Sequence, residues 1–286
     1  MTDRKRLHAA AVQDLSGFGR CGLTVALPVL SAMGVQVSCL PTAVLSTHTG
    51  GFQGYTFRDL TEDMEPFFRH WQKEGLRFGA LYFGYLGSVR QAELAERMIA
   101  AFRAESTLVL VDPVMGDHGK LYSRFDDGMV RGIRALCGQA DVIVPNMTEA
   151  AFLTGLPYRE KAHDEKYLRE MGRALLRLGA KRAVLTGVSP SDDQLGAACF
   201  AGNEMTVYTA ARVPAAYDGT GDLFASVLLG ALLHDMPPEQ AVRIAADFTG
   251  ACVARSLQNG VDPHHGVDFE PLLWRLGREV LDGKEP

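Results

Sequence analysis

The chain has 286 residues, 47% of them hydrophobic and 22% charged, with a formal net charge of −5. That length buries the core of one large domain, and mildly acidic, dispersed charge offers no basic footprint for nucleic acid, so a small-molecule partner is expected. No apolar run approaches a membrane span, and the start, MTDRKRLHAAAVQDLSG, has too short an apolar stretch for a secretory signal, so the cytoplasm is the expected location.

Residues 7–12 are a short apolar run ending at Gln13-Asp14, and Gly17-Phe18-Gly19-Arg20-Cys21-Gly22 leads on into the apolar stretch 23–33. This reads as strand, glycine-rich turn and helix, with Pro28 expected to kink the helix or mark a restart. Residues 35–41 read as a second strand. The polar, glycine-rich stretch Ser46-Thr47-His48-Thr49-Gly50-Gly51-Phe52 reads as a loop or flap. Helical periodicity follows over 60–71, a buried strand over 80–83 ending at Gly84-Tyr85, and a helix over 92–102.

Residues 107–111 form the most strand-like run, stopping at Asp112-Pro113-Val114-Met115-Gly116-Asp117. Another strand over 141–144 runs to Asn146-Met147-Thr148-Glu149 with a helix beyond. An amphipathic helix over 167–178 precedes a strand over 183–187, which ends at Thr186-Gly187. Residues 196–200 and 205–209 read as an antiparallel pair joined by Gly202-Asn203. Helices are expected over 238–257 and 269–281. The alternation predicts an α/β fold with a mostly parallel central sheet flanked by helices, in one domain spanning 1–286. Strand ends of such a sheet share one rim, where ligands bind. Asp14, Tyr85, Asp112, Asn146 and Gly187 are placed there. The cysteines at 21, 39, 137, 199 and 252 form no CxxC pair and read as reduced, buried thiols.

The stretch Asp218-Gly219-Thr220-Gly221-Asp222, followed by an apolar run to 233, is a tight loop opening onto a helix. Unpaired N–H groups there, at the positive end of the helix dipole, suit a phosphate or a developing oxyanion. Asp222 beside them is a candidate base toward a substrate hydroxyl attacking a phosphoryl group. The alternative makes Asp222 a helix cap and the glycines mere turn residues.

Asn146 with Glu149 three residues on matches a capping box, and equally a site where Glu149 serves magnesium and Asn146 a phosphate. Asp112 precedes a proline and is therefore extended. Beside Asp117 it calls for a neutralising cation, which Mg²⁺ on nucleotide phosphates supplies. No GxxxxGK[ST], HExxH or GxSxG is present, which counts against P-loop, metalloprotease and hydrolase readings.

DGTGDLFASVLLGAL resembles the C-terminal signature of the ribokinase-like (PfkB) small-molecule kinases. With the DPVMGD…GKLY stretch, the NxxE at 146–149 and the STHTGG flap in the same order, the whole chain resembles the pyridoxal kinases. The resemblance implies a ribokinase-like three-layer sandwich that phosphorylates the 5′-hydroxymethyl of a B6 vitamer (pyridoxal, pyridoxamine or pyridoxine) in vitamin salvage, with ATP and Mg²⁺ and with K⁺ as a candidate monovalent cation. It further implies a homodimer. By the same resemblance Asp112, Asn146, Glu149, Thr186 and Gly187 serve ATP and its metal, with Asp117 as a further metal candidate. Gly219, Thr220 and Gly221 hold the transferred phosphoryl, Asp222 is the base, and Asp14, Thr49 and Tyr85 line the vitamin pocket. His48 is a weaker candidate, since a loop histidine is more often solvated or structural.

Pyridoxal kinases often carry serine where Asp14 stands. Asp14 therefore either meets a cationic substrate group or faces the 17–22 turn, with Ser16 as the substitute for that serine. A hydroxymethylpyrimidine kinase is the alternative within the fold, although cysteine is usual there at the position of Asp222. A non-catalytic nucleotide-binding regulator is the alternative outside enzymology.

Overall fold

A computed structural model describes residues 7–281; the N-terminal residues 1–6, on which the start-of-chain reading partly rests, and residues 282–286 lie outside it. Strand β1 (His8–Ser16) lies at the heart of a nine-stranded sheet, next to β2 (Gln36–Leu45) on one side and β4 (Ala80–Phe83) on the other. Beyond β4 come β5 (Leu108–Val111), β8 (Val142–Ile143) and β9 (Arg182–Val188), all parallel. The hairpin β10 (Gln194–Ala201) and β11 (Glu204–Ala211) adds an antiparallel edge, and β3 (Phe57–Asp59) closes the opposite edge antiparallel to β2. The chain runs from β1 outward to β2 and β3 and then crosses back through a helix (Thr61–Lys73) to β4 on the other side of β1, which makes the C-terminal end of β1 the switch point where an open sheet leaves a crevice.

The period-two alternation of the strands divides the core in two. Ala9, Ala11, Tyr82, Leu110, Val142 and Val184 face one side, packing on α1 (Leu23–Ala32), α7 (Thr220–Leu233), α8 (Pro238–Gln258) and α9 (Leu273–Leu281). Ala10, Val12, Leu81, Phe83, Val109 and Ile143 face the other. That side is covered by α2 (Thr61–Lys73), α3 (Val89–Phe102), α4 (Asp127–Cys137), α5 (Met147–Thr154) and α6 (Glu165–Leu176). The result is the expected three-layer sandwich. Fully buried side chains such as Leu30 and Phe83 each contribute about 1.5–3 kcal/mol to holding the layers together. Small residues bring the first layer close: a Cβ at Gly230 would stand 2.3 Å from Met33 Sδ, so α7 lies directly on the end of α1.

Several expectations need correction. β1 does not end at Gln13-Asp14 but continues to Ser16, through a register shift against β2 between Gln13 and Leu15. Pro28 neither divides nor restarts α1. Helix α4, with Asp126 capping it by accepting from Met129 N, the edge strand β3, and the two-residue strands β6 (Gly116–Asp117) and β7 (Lys120–Leu121) are additional to the expected elements. No helix among the described residues is long and apolar enough to cross a membrane.

Candidate active site

Helix α7 begins as its glycines dictate. Gly219 is its N-cap in the left-handed region at φ 77°, and a Cβ there would stand 1.8 Å from the Arg20 carbonyl oxygen. No other residue fits, because backbone strain and collision act together. Two loops distant in sequence, 17–22 and 218–222, therefore meet at van der Waals distance. The N–H groups of the first turn of α7 have no intrahelical acceptor and open on this junction.

Asp222 hangs at the junction, with Oδ2 accepting from Gly22 N at 2.9 Å. Protein surrounds the carboxyl, and only part of the residue's surface stays open to the cleft. Desolvation pushes its pKa up to about 7; the Gly22 hydrogen bond opposes the rise and the nearby Asp14 adds to it. On the other side of Gly22 stands Asp14. A Cβ on Gly22, itself at φ 60°, would lie 2.6 Å from Asp14 Oδ1 and 2.5 Å from the Asp14 carbonyl oxygen.

Asp14 is buried, and burial raises its pKa against a hydrogen bond from Ser16 Oγ to its Oδ2 at 2.8 Å. The expectation that Asp14 satisfies the amides of the 17–22 turn meets a different arrangement at Gly22, whose N–H goes to Asp222. Ser16 in turn is tied to Asp14. Tyr85 is half-buried behind them, pushed up to about 12 by desolvation, with Asp14 raising it further and Arg124 opposing; its ring meets Phe125 edge-on at 5.8 Å.

Asp112 ends β5 and points toward α7: a Cβ at Gly221 would stand 4.0 Å from its Oδ2. It is buried, and its pKa is held well above the carboxylate range by desolvation first, then by Glu149 and Asp222. Glu149 is also raised by desolvation, opposed by backbone N–H groups. No cationic side chain offsets Asp112 or Asp222 among the described residues. Tyr122, 41% exposed, lies close enough for its phenol to be raised by desolvation and then by Glu149, Asp117, Asp222 and Asp112 together. Three carboxylates, Asp112 at a strand end and Glu149 and Asp222 on two helices, thus lie close enough to act on one another.

Asn146 and Glu149 form a full capping box: Asn146 Oδ1 accepts from Glu149 N at 2.9 Å, and Glu149 Oε2 from Asn146 N at 2.8 Å. Glu149 Oε1 also accepts from Met115 N at 3.1 Å, and Asn146 Nδ2 donates to the Gly116 carbonyl at 2.9 Å. Thr186 and the exposed Gly187, at φ 74°, lie beside this corner, where Thr186 pairs with Asn146 as an isolated parallel bridge. Asp117 projects outward, with 57% of its side chain exposed and His118 Nε2 at 3.6 Å. No three His, Cys, Asp or Glu side chains form a metal cluster among the described residues. At this corner Asp112 and Glu149 are the buried carboxylates offered to a metal among the described residues. That donor set fits Mg²⁺ carried on phosphates and water better than a protein cage.

The 46–52 flap is pinned. His48 is buried, and its Nε2 lies 2.6 Å from the His264 carbonyl while its Nδ1 accepts from Gly50 N at 3.2 Å, a combination that makes the ring a neutral Nε2–H donor. His48 is thus a brace of the flap; Thr49 beside it is exposed. Phe52 stacks on His265 at 6.5 Å and meets Phe18 edge-on at 6.0 Å. Sequence reasoning passed over the 262–266 segment that receives the flap. His264 Nδ1 lies 3.0 Å from Asp218 Oδ2, which raises the His264 pKa. A pair of lone polar residues 46 positions apart leaves no pattern to read.

A family model described as Phosphomethylpyrimidine kinase matches residues 19–267. The pyridoxine/pyridoxal/pyridoxamine kinase of Bordetella pertussis (strain Tohama I) is 31% identical over 254 residues, covering 84% of this chain and 86% of the relative. Among solved structures, pyridoxal kinase from Lactobacillus plantarum superposes with a TM-score of 0.87 at 36% identity, covering 97% of this chain and 98% of that one. A Bacteroides thetaiotaomicron protein described as a phosphomethylpyrimidine kinase and crystallised with pyridoxal gives 0.87 at 38% identity, with coverage of 94% and 95%.

Proposed function

The chain belongs to the phosphomethylpyrimidine kinase family, and from that premise we propose that it transfers the terminal phosphoryl group of ATP to the 5′-hydroxymethyl of a B6 vitamer. The observation that carries the reading is Asp222, at the open N-terminus of α7, facing the buried Asp112 across Gly221. Relatives named for pyridoxine, pyridoxal and pyridoxamine, and a similar protein crystallised with pyridoxal, favour these vitamers over hydroxymethylpyrimidine as the acceptor.

In this reading the vitamer lies between Asp14, Tyr85 and the flap, with its hydroxymethyl toward Asp222. Asp222 accepts the hydroxyl proton and aims the oxygen at the phosphorus. With a pKa near 7 it is ionised for a large share of the time in neutral solution and remains a better proton acceptor than an ordinary aspartate. The amides of Gly219, Thr220 and Gly221 hold the transferring group, whose charge spreads over its outer oxygens in a loose transition state. Asp112 and Glu149 would hold Mg²⁺, directly or through water, and when bound the ion supplies positive charge to the phosphate oxygens. Thr186 and Gly187 border the nucleotide side, and Asn146 shapes that corner through its fold bonds. Asp117, facing solvent, would reach the metal only through water.

A single domain over 1–286, a homodimer, a cytoplasmic setting and K⁺ as an additional cation complete the proposal. The test is release of ADP in the presence of each vitamer by the unmodified chain and by Asp222→Asn. Vitamer-stimulated release that vanishes in the variant supports the reading, whereas release unaffected by vitamers opposes it.

A further inference from the structure

The flap is tied at its base and seated at its tip. Ser46 N donates to the Thr56 carbonyl at 3.1 Å and Thr56 N to Ser46 Oγ at 2.9 Å, which joins the two ends of the 46–56 stretch. At the tip, Thr49 stands between His48, bonded to the His264 carbonyl, and Gly50-Gly51. Those two glycines lie on one ion pair. A Cβ on Gly50 would stand 3.1 Å from both carboxylate oxygens of Asp218, and a Cβ on Gly51 would stand 2.2 Å from His264 Nδ1. The flap backbone thus rests on the Asp218–His264 contact itself, where Nδ1 meets Oδ2 at 3.0 Å.

The same contact reaches the phosphoryl side. Asp218 directly precedes Gly219, the N-cap of α7, and its N–H donates to the Pro263 carbonyl at 3.1 Å. Residues 262–266 are held in shape for this. Asp262 Oδ1 accepts from His264 N at 2.9 Å, and a Cβ on Gly266, at φ 78°, would lie 2.7 Å from the Arg20 Cβ. Arg20 in turn pairs with Glu270 Oε1 at 2.7 Å. The 262–270 segment therefore touches all three loops around Asp222: 17–22, the flap and 218–222.

We propose that Asp218 and His264 form the latch of the flap: their ion pair is the seat on which the tip closes, so that covering the vitamer and fixing the loop before α7 are one event. Both are positioning residues, since Asp218 acts through the α7 loop and His264 through the flap. The alternative makes the pair a plain tie between two loops. A tie between 218 and 264 does not call for glycine at 50 and 51, whereas a seat does. With 37% and 52% of their side chains exposed, Asp218 and His264 also form a pair weak enough to open and close again, as a lid requires.

The effect on turnover rests on the vitamer lying under the flap; the latch itself does not. The experiment combines amide hydrogen exchange over 46–56 in the ligand-free chain with kinetics of His264→Phe, His264→Asn, Asp218→Ala and the double variant Asp218→Ala/His264→Phe. Phenylalanine keeps a ring beside Gly51 and Phe52 but loses the bond, whereas asparagine places an N–H near the position of Nδ1. Flap exchange should be about threefold to tenfold faster in His264→Phe and Asp218→Ala, the range between an exposed ion pair and a charge-assisted hydrogen bond, and largely restored in His264→Asn. The kcat/KM for the vitamer should fall by a similar factor with KM for ATP little changed. The double variant should lose no more than the worse single, because both remove one contact. Unchanged flap exchange overturns the proposal. So do faster exchange spread over the whole chain, additive losses, and a loosened flap with vitamer kcat/KM intact. A chain that phosphorylates no vitamer but whose flap loosens in the variants retires the functional reading and leaves the latch standing; a vitamer kinase whose flap exchange the variants do not move does the reverse.

Discussion

Asp14 and Asp222 flank Gly22 from opposite sides. The Gly22 N–H donates to Asp222 at 2.9 Å, and a side chain on Gly22 would collide with Asp14. Two carboxylates thus share one glycine, and Asp14 disfavours ionisation of Asp222.

The first consequence concerns Asp222→Asn. Turnover should fall roughly 10²- to 10⁴-fold, the usual contribution of a positioned base, with KM for ATP little changed. The raised pKa also links pH to stability. A carboxyl with folded pKa about 7 and an ordinary unfolded value binds more protons when folded, so it lowers stability as pH rises through that window. The asparagine variant should therefore be more stable than the parent above pH ~7, on the order of 1–3 kcal/mol, and gain little near pH ~4. Melting curves at the two pH values check this; an equal change at both would show that Asp222 folds without a shifted pKa.

Gly22→Ala and Gly219→Ala test the loop junction. Each combines a left-handed backbone with a contact far inside van der Waals distance. The backbone strain alone costs about 1–3 kcal/mol, and the collision must be relieved by moving the loops apart. Both variants should melt earlier and lose nearly all turnover. Gly54→Ala is the control for φ without collision, since nothing lies within 4 Å of a Cβ there. If the three behave alike, the close approach of the two loops is not what the glycines serve.

Much of this was legible in the chain. Strand 80–83 is a compact apolar run and appears with those bounds, and the Asn146–Glu149 box appears as a box. Helix α4 had a readable signal, an Asp126 cap followed by Met129, Ile133, Leu136 and Cys137 on one face, but charges between them hid the period. The strands β3, β6 and β7, of two or three residues, are too short to show any alternation. His264 gains its meaning only from Asp218 and His48 on other elements, and no local spacing encodes that.

Glu149→Gln separates capping from metal binding. Both carboxylate oxygens accept backbone N–H bonds, so the amide must turn its NH₂ toward one of them and lose that bond. A modest drop in melting temperature is expected, worth about 1–3 kcal/mol. Titration of activity with magnesium decides the rest: a higher requirement marks service to the metal, and an unchanged one leaves Glu149 as a cap alone.

Asp14→Asn removes a charge that raises the Asp222 pKa, so the acid limb of kcat/KM should move to lower pH. If Asp14 also meets an ammonium group on the substrate, pyridoxamine use should fall tenfold to a hundredfold more than pyridoxal use, about the strength of one charge-assisted hydrogen bond. Equal losses on pyridoxal, pyridoxamine and pyridoxine would assign Asp14 to the scaffold.

The most direct measurement of the central claim is a side-by-side comparison of initial rates with ATP on pyridoxal, pyridoxamine, pyridoxine and hydroxymethylpyrimidine, identifying each phosphorylated product. The account predicts 5′-phosphates of the B6 vitamers at a kcat/KM well above that for hydroxymethylpyrimidine. Preferential phosphorylation of hydroxymethylpyrimidine, or of none of the four, would contradict it.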